Sequence, residues 1–148
     1  MNLNSTAVRK ILPLLALRPG EWFTLSSICA YAMYPEMKVI ALRLLDVPAA
    51  MRKAGAKVDL AMAFGSLLRP TFGAQSDIDL LLITAQADAA RRGVGEVETR
   101  LGKHFSPKVM DPARFSAALA KGDPFIREIM ERPHAVLTGS LERFGDAA

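Results

Sequence analysis

The pattern of apolar and polar residues is clearest in the middle of the chain, where two short apolar runs flank a polar break. Runs of this length are typical of buried strands rather than of helices, so we predict strands over residues 58–64 and 77–84. The first run ends in Gly65-Ser66, and Asp77 and Asp79 stand at the start of the second. Because successive side chains of a strand point to opposite faces, both carboxylates are expected on one face, with their Cα atoms about 6.6–6.8 Å apart.

Helical patterns lie on both sides of these strands. Apolar residues recur at helical spacing, and Pro48, Pro112 and Pro124 stand where a first helical turn accepts them, whereas Pro13 conflicts with the first predicted helix. Strands that alternate with helices predict an α/β or α+β fold. The predicted helices cover about residues 4–17, 24–31, 37–45, 48–53, 85–101 and 112–121, with another from Pro124, and the further predicted strands are 105–110 and 135–137.

The polar break and its flanks carry the candidate chemistry. Two carboxylates this close repel each other unless a cation lies between them, and an oxygen-rich site without sulfur suits Mg²⁺. Gly65 lets the backbone approach a ligand closely, and the Ser66 hydroxyl can hydrogen-bond a phosphate oxygen. Both the Gly-Ser pair and the Asp-x-Asp pair also have an ordinary explanation, since Gly-Ser pairs occur in many turns and an Asp-x-Asp is often a solvated strand end.

The spacing of these residues resembles the signature of polymerase-beta-like nucleotidyltransferases, and most of all the minimal group related to kanamycin nucleotidyltransferase. The likeness lies in Gly65-Ser66-x-x-Arg69 followed by Ser76-Asp77-Ile78-Asp79-Leu80, and a weaker likeness extends over residues 58–139. It implies a small mixed β-sheet with helices packed mainly on one face. It also implies that Gly65 and Ser66 hold a nucleoside triphosphate and that Asp77 and Asp79 bind metal ions. Ser76 would join the nucleotide site, and Arg69 would pair with phosphate or stabilise the loop.

Two positions depart from that signature. Pro70 stands where the family has glycine after the arginine, and Ser106 aligns with the strand position that usually carries a third acidic residue. Asp111 is close in sequence, but its spacing from Ser106 puts it on the opposite face of a regular strand. It is better placed to cap a helix that begins at Pro112.

The resemblance therefore implies two alternative functions. The first is Mg²⁺- or Mn²⁺-dependent transfer of a nucleoside monophosphate, AMP from ATP, to an acceptor hydroxyl, with a partner protein as one candidate acceptor. The second is a nucleotide-binding regulatory module with weakened catalysis, of the antitoxin or transcription-regulator kind. Minimal nucleotidyltransferases often act as antitoxins, so a small helical toxin-like protein is the partner that the family implies.

The N-terminal segment, residues 1–55, is predicted to be helical and separate from a nucleotidyltransferase domain over residues 56–148. Its stretch from residue 8 to 31 resembles the start of a winged-helix module. The sequence shows no paired strands for a wing and no basic cluster after it. We therefore expect a helical cap and argue against DNA binding.

Composition limits the remaining possibilities. The 148 residues suit one domain with a small appendage, and the net charge of +4 is compatible with anionic ligands without requiring them. Cys29 is the only cysteine, which rules out an intramolecular disulfide, and no apolar run reaches the length of a membrane span, so we expect a cytoplasmic protein. His104 and His134 each stand alone and are expected to have no metal role. An exposed edge strand, near Pro107 or at the last strand, would allow a homodimer.

Overall fold

The structure, a computed structural model, describes residues 44, 46–65, 77–132 and 134–145. The helices expected before residue 44 lie outside these residues. So do Ser66, Arg69, Pro70 and Ser76. Nothing in the structure therefore bears on those positions.

Four helices, four strands and a short 3-10 helix make up the described part. The predicted strand at residues 105–110 and the predicted helix at 112–121 have the bounds expected from the sequence, and the other elements differ by a few residues. The elements in chain order are α1 (Val47–Lys53), β1 (Leu60–Phe64), β2 (Ile78–Ile83), α2 (Ala87–Leu101), β3 (Phe105–Met110), α3 (Pro112–Lys121), α4 (Pro124–Glu131), β4 (His134–Gly139) and the 3-10 helix (Leu141–Phe144).

The four strands form one mixed sheet in the order β3-β2-β1-β4. Strand β1 runs antiparallel to both β2 and β4, whereas β2 and β3 are parallel. Pro107 lies in β3, at one edge of the described sheet, where a missing N–H is tolerated. This order brings the end of β1 next to the starts of β2, β3 and β4, so one end of the sheet collects residues from all four strands.

The mixed α/β class expected from the sequence is confirmed, but the helices divide between the two faces of the sheet and are not packed mainly on one. Helices α1 and α2 pack on one face, where they contact Ala61, Ala63, Ile78, Leu80 and Leu82. Helices α3 and α4 and the 3-10 helix pack on the other, against Leu60, Met62, Leu81 and Ile83. The reason is that β1 and β2 are apolar at nearly every position, so both of their faces need cover.

Helix α1 lies very close to α2 at Gly93. A Cβ atom built on Gly93 would come within 2.5 Å of the Cα atom of Met51 and 2.7 Å of its backbone nitrogen. Both Gly93 and Met51 are buried. Only glycine permits this distance, so the described end of the predicted N-terminal segment packs directly against α2.

Candidate functional site

Four side chains form a row across the sheet at the end where β1 stops. Phe64 is the register partner of Asp79 on one side and of His134 on the other. Asp79 is in turn paired with Ser106. Since directly paired residues point to the same face of a sheet, all four belong to the face covered by α3 and α4.

Gly65 contacts Asp79 directly. Its φ angle is +78°, a conformation that favours glycine. A Cβ atom built at this position would overlap Oδ2 of Asp79 and lie 3.3 Å from its Cγ. The glycine that ends the first apolar run and the second carboxylate of the polar break are therefore neighbours.

The Asp79 carboxyl group has an unfavourable electrostatic environment. Partial burial raises its pKa above the usual value, the nearby charge of Asp77 raises it further, and the positive charge of Lys108 acts in the opposite direction. Asp77 is exposed and immediately precedes β2. Within the described residues, no hydrogen bond or ion pair to the Asp79 side chain compensates this burial.

Such a carboxylate suits a divalent cation. The oxygens of Asp77 and Asp79 are the ligand type that Mg²⁺ takes, and Mg²⁺ commonly uses one or two carboxylates together with substrate phosphates. Among residues 46–65, 77–132 and 134–145, no group of three or more histidine, cysteine and acidic residues could hold a metal ion. Any ion here would therefore take its remaining ligands from substrate, water or residues outside these ranges.

Of the six predicted site residues, the structure brings together Gly65, Asp77 and Asp79. Ser66, Arg69 and Ser76 lie outside the described residues. Ser106, the position aligned with a third acid, is beside Asp79 on the neighbouring strand, which is where another carboxylate would share a metal with it. Asp111 instead caps α3, because its side chain accepts a hydrogen bond of 2.9 Å from the Arg114 backbone N–H.

Both histidines have local partners. Nδ1 of His104 is 3.0 Å from Oε2 of Glu98, and the same oxygen accepts a hydrogen bond of 2.6 Å from the Phe105 backbone N–H. Nδ1 of His134 lies 2.8 Å from the carbonyl oxygen of Arg132. A carbonyl oxygen can only accept, so Nδ1 of His134 carries the proton in this contact.

The sequence reasoning missed an apolar cleft beside Gly65. It has a volume of about 140 Å³ and is lined by Phe64, Gly65, Phe125, Glu128, Ile129 and Arg132. Phe125 is 38 % exposed, whereas Ile126 and Ile129 of the same helix are buried. The signal in the sequence was the position of Phe125 at the start of α4, immediately before Ile126, because adjacent helical residues do not share one face.

No protein-family model, curated protein or solved structure matches this chain. The resemblance to nucleotidyltransferases therefore stays a prediction from the motif. No helix within the described ranges combines the length and the apolar character that crossing a membrane requires.

Proposed function

We propose that this protein binds a nucleoside triphosphate together with Mg²⁺ and transfers its nucleoside monophosphate, AMP in the case of ATP, to an acceptor hydroxyl. One observation carries the proposal: the partly buried Asp79 carboxylate, with its raised pKa, lies against Gly65 and next to Asp77. A carboxylate that is repelled by its neighbour and lacks a donor within the described residues is a good ligand for a cation.

Each described residue then has a defined role. Asp77 and Asp79 would hold Mg²⁺ or Mn²⁺, and the ion, when bound, supplies positive charge to the triphosphate. Gly65, without a side chain, leaves room for phosphate oxygens beside the carboxylates. Ser66, Arg69 and Ser76 join the nucleotide site on the strength of the motif alone.

The reaction is a substitution at the α-phosphorus. The acceptor oxygen forms a bond to this phosphorus while the bond to the bridging oxygen breaks, and pyrophosphate leaves with the electron pair. The hydroxyl proton passes to solvent or to a base. The acceptor is a small molecule or a partner protein, and for a partner protein the family resemblance implies a helical toxin-like chain.

A second function, nucleotide binding with little or no turnover, is favoured by Ser106. This serine is in register with Asp79, so the sheet position that could supply a third carboxylate supplies a neutral hydroxyl. Lys108 lies two residues further along β3 and lowers the pKa of Asp79. A site with fewer anionic ligands holds fewer metal ions, which would preserve binding and reduce transfer.

Calorimetric titration of the full chain with ATP in MgCl₂ tests the binding that both functions share. Asp79→Asn should weaken Mg²⁺-dependent ATP binding by at least about tenfold, the usual scale for damage to a metal site. Asp88→Asn is the matched control, because Asp88 is an exposed acid in the first turn of α2. Wild-type protein that binds no nucleotide with any divalent ion would refute both functions.

Transfer is measured separately with ATP labelled at the α-phosphate and a panel of hydroxyl acceptors, including candidate partner proteins. Label on an acceptor that disappears in Asp77→Asn supports the nucleotidyltransferase. Tight Mg²⁺-dependent binding, with wild type and Asp77→Asn equally inactive in transfer, supports the binding module.

A further inference from the structure

The cleft beside Gly65 differs in character from the carboxylate site that it adjoins. Buried Ile129 and half-buried Phe64 form its inner part, and Phe125, Glu128 and Arg132 are exposed at its rim. Phe64 is the register partner of Asp79, so the cleft and the carboxylate lie side by side on one face of the sheet. A ligand that occupies both must have an apolar and an anionic end.

Aromatic surface is open to this cleft. Across the described ranges, Phe125 is the one large apolar residue that is exposed. Its ring makes an edge-to-face contact with Phe64, with centroids 6.2 Å apart and planes at 80°. Edge-to-face packing fixes the orientation of the two rings, so the exposed aromatic surface is held in place beside Gly65.

Arg132 adds a second planar group. Its Nη2 atom is 3.1 Å from Oε1 of Glu128, which holds the guanidinium at the rim of the cleft. A guanidinium plane stacks on aromatic rings as well as pairing with anions. Two phenyl rings and a guanidinium group surround a small apolar space, and a flat heterocycle can stack on such groups.

The size of the cleft decides which part of a ligand it can take. Sites that enclose a whole drug-sized ligand have volumes of roughly 300–1,000 Å³, whereas this cleft has about 140 Å³. It therefore suits a single ring system and leaves the rest of the molecule outside. A nucleoside triphosphate has that shape, with a base and a phosphate chain at opposite ends of a ribose.

We infer that this cleft holds the nucleobase of the nucleoside triphosphate whose phosphates meet Gly65 and Asp79. The inference rests on the proposed function. It assigns Phe125 as a base-stacking residue, and it predicts weak discrimination among bases, since stacking tolerates every base. Among the described residues that line the cleft, only Glu128 and Arg132 have polar side chains.

Calorimetric titration compares ATP with inorganic tripolyphosphate, both in MgCl₂. Phe125→Ala should bind ATP about 5- to 150-fold more weakly, the range for loss of one base–aromatic stack, and should bind tripolyphosphate as wild type does. Phe125→Tyr keeps the ring and should bind ATP normally. Phe144→Ala is the control, because Phe144 packs edge-to-face on Phe115 and does not line the cleft.

The wild-type protein provides a test that needs no variant. Ribose 5-triphosphate, which lacks a base, should bind at least about fivefold more weakly than ATP. Equal affinity of the two ligands, unchanged ATP binding by Phe125→Ala, or parallel loss of ATP and tripolyphosphate would each overturn the inference while leaving the proposed function intact. Wild-type protein that binds neither ATP nor tripolyphosphate would remove the proposed function, and the inference with it.

Discussion

Replacing Gly65 by alanine should weaken ligand binding through Asp79 in addition to destabilising the fold. A Cβ atom at this position would overlap Oδ2 of Asp79, and Cγ and Cβ of the same residue are 3.3 and 3.5 Å away. The carboxylate can rotate away from the new methyl group. That rotation would move an oxygen ligand out of the site at which we place the cation.

Gly55 provides a matched control for the backbone effect. Its φ angle is +93°, compared with +78° for Gly65, and a Cβ atom built on it meets nothing within 4 Å. Alanine in a left-handed conformation costs about 1–2 kcal/mol at either position. Gly65→Ala should lose a further 0.5–1.5 kcal/mol, roughly the cost of turning Asp79 off its preferred rotamer.

Urea unfolding followed by circular dichroism measures these stabilities, and calorimetry measures Mg²⁺-dependent ATP binding. We expect both variants to fold, with Gly55→Ala binding ATP like wild type and Gly65→Ala binding at least about tenfold more weakly. The reasoning is refuted if Gly65→Ala keeps wild-type affinity, because the carboxylate against Gly65 would then have no part in the site. Equal loss of affinity in the two variants would assign the effect to backbone strain.

Three further predictions concern Asp79, Ser106 and the packing of α1 on α2. The pKa of Asp79 is raised in the folded protein, so deprotonation of this residue destabilises the fold. The free energy of unfolding of the wild type should therefore fall as the pH rises from the usual carboxyl pKa through the raised one. The Asp79→Asn variant should not show this fall and should be more stable than the wild type at pH 7, as measured by urea unfolding without divalent ions. Identical dependence of stability on pH in the two proteins would contradict this. Ser106→Asp, beside Asp79, should lower the Mg²⁺ concentration needed for half-maximal ATP binding, whereas Ser106→Asn should not. Gly93→Ala should lose about 1–3 kcal/mol through overlap with α1, and Gly95→Ala, with nothing within 4 Å of its built Cβ, should gain up to about 1 kcal/mol; thermal melts that rank them the other way would contradict the packing.

Elements fixed by local chemistry were predicted well. Helix α3 begins at Pro112 after the Asp111 side chain accepts the Arg114 N–H, and it ends before Gly122, whose φ angle is +65°. Asp123 likewise accepts hydrogen bonds from the first turn of α4. Each of these signals acts within a few residues, so the sequence alone contains it.

The ends of the strands are set by pairing with distant strands, which the local sequence pattern does not reveal. The last strand was predicted over residues 135–137, but β4 extends from His134 to Gly139 because it pairs with the whole of β1. Val58 was expected to start the first strand. It lies before β1 and packs against the core formed with α1 and α2. Hydrogen bonding between distant segments sets such limits, and periodicity within one segment does not.

The layering of helices could have been read from β1 and β2. Their apolar runs do not alternate with polar residues, and every position of β2 except Asp79 is buried. A strand with one solvated face shows alternation, so an unbroken run already indicates cover on both sides. The family resemblance implies one covered face, and the unbroken apolar runs of β1 and β2 contradict it.

The candidate site likewise has features that a local motif predicts and features that depend on distant segments. The motif brought Gly65, Asp77 and Asp79 to attention, but the neighbours of Asp79 are set by register across four strands. Ser106 is next to it because β3 runs parallel to β2, and Phe125 adjoins Gly65 because α4 packs back onto β1. One side of Asp79 therefore lacks a possible third carboxylate, while the other leads to an aromatic cleft. No single segment contains this arrangement, and Ser106→Asp, which would put a carboxylate beside Asp79, is the substitution that tests it.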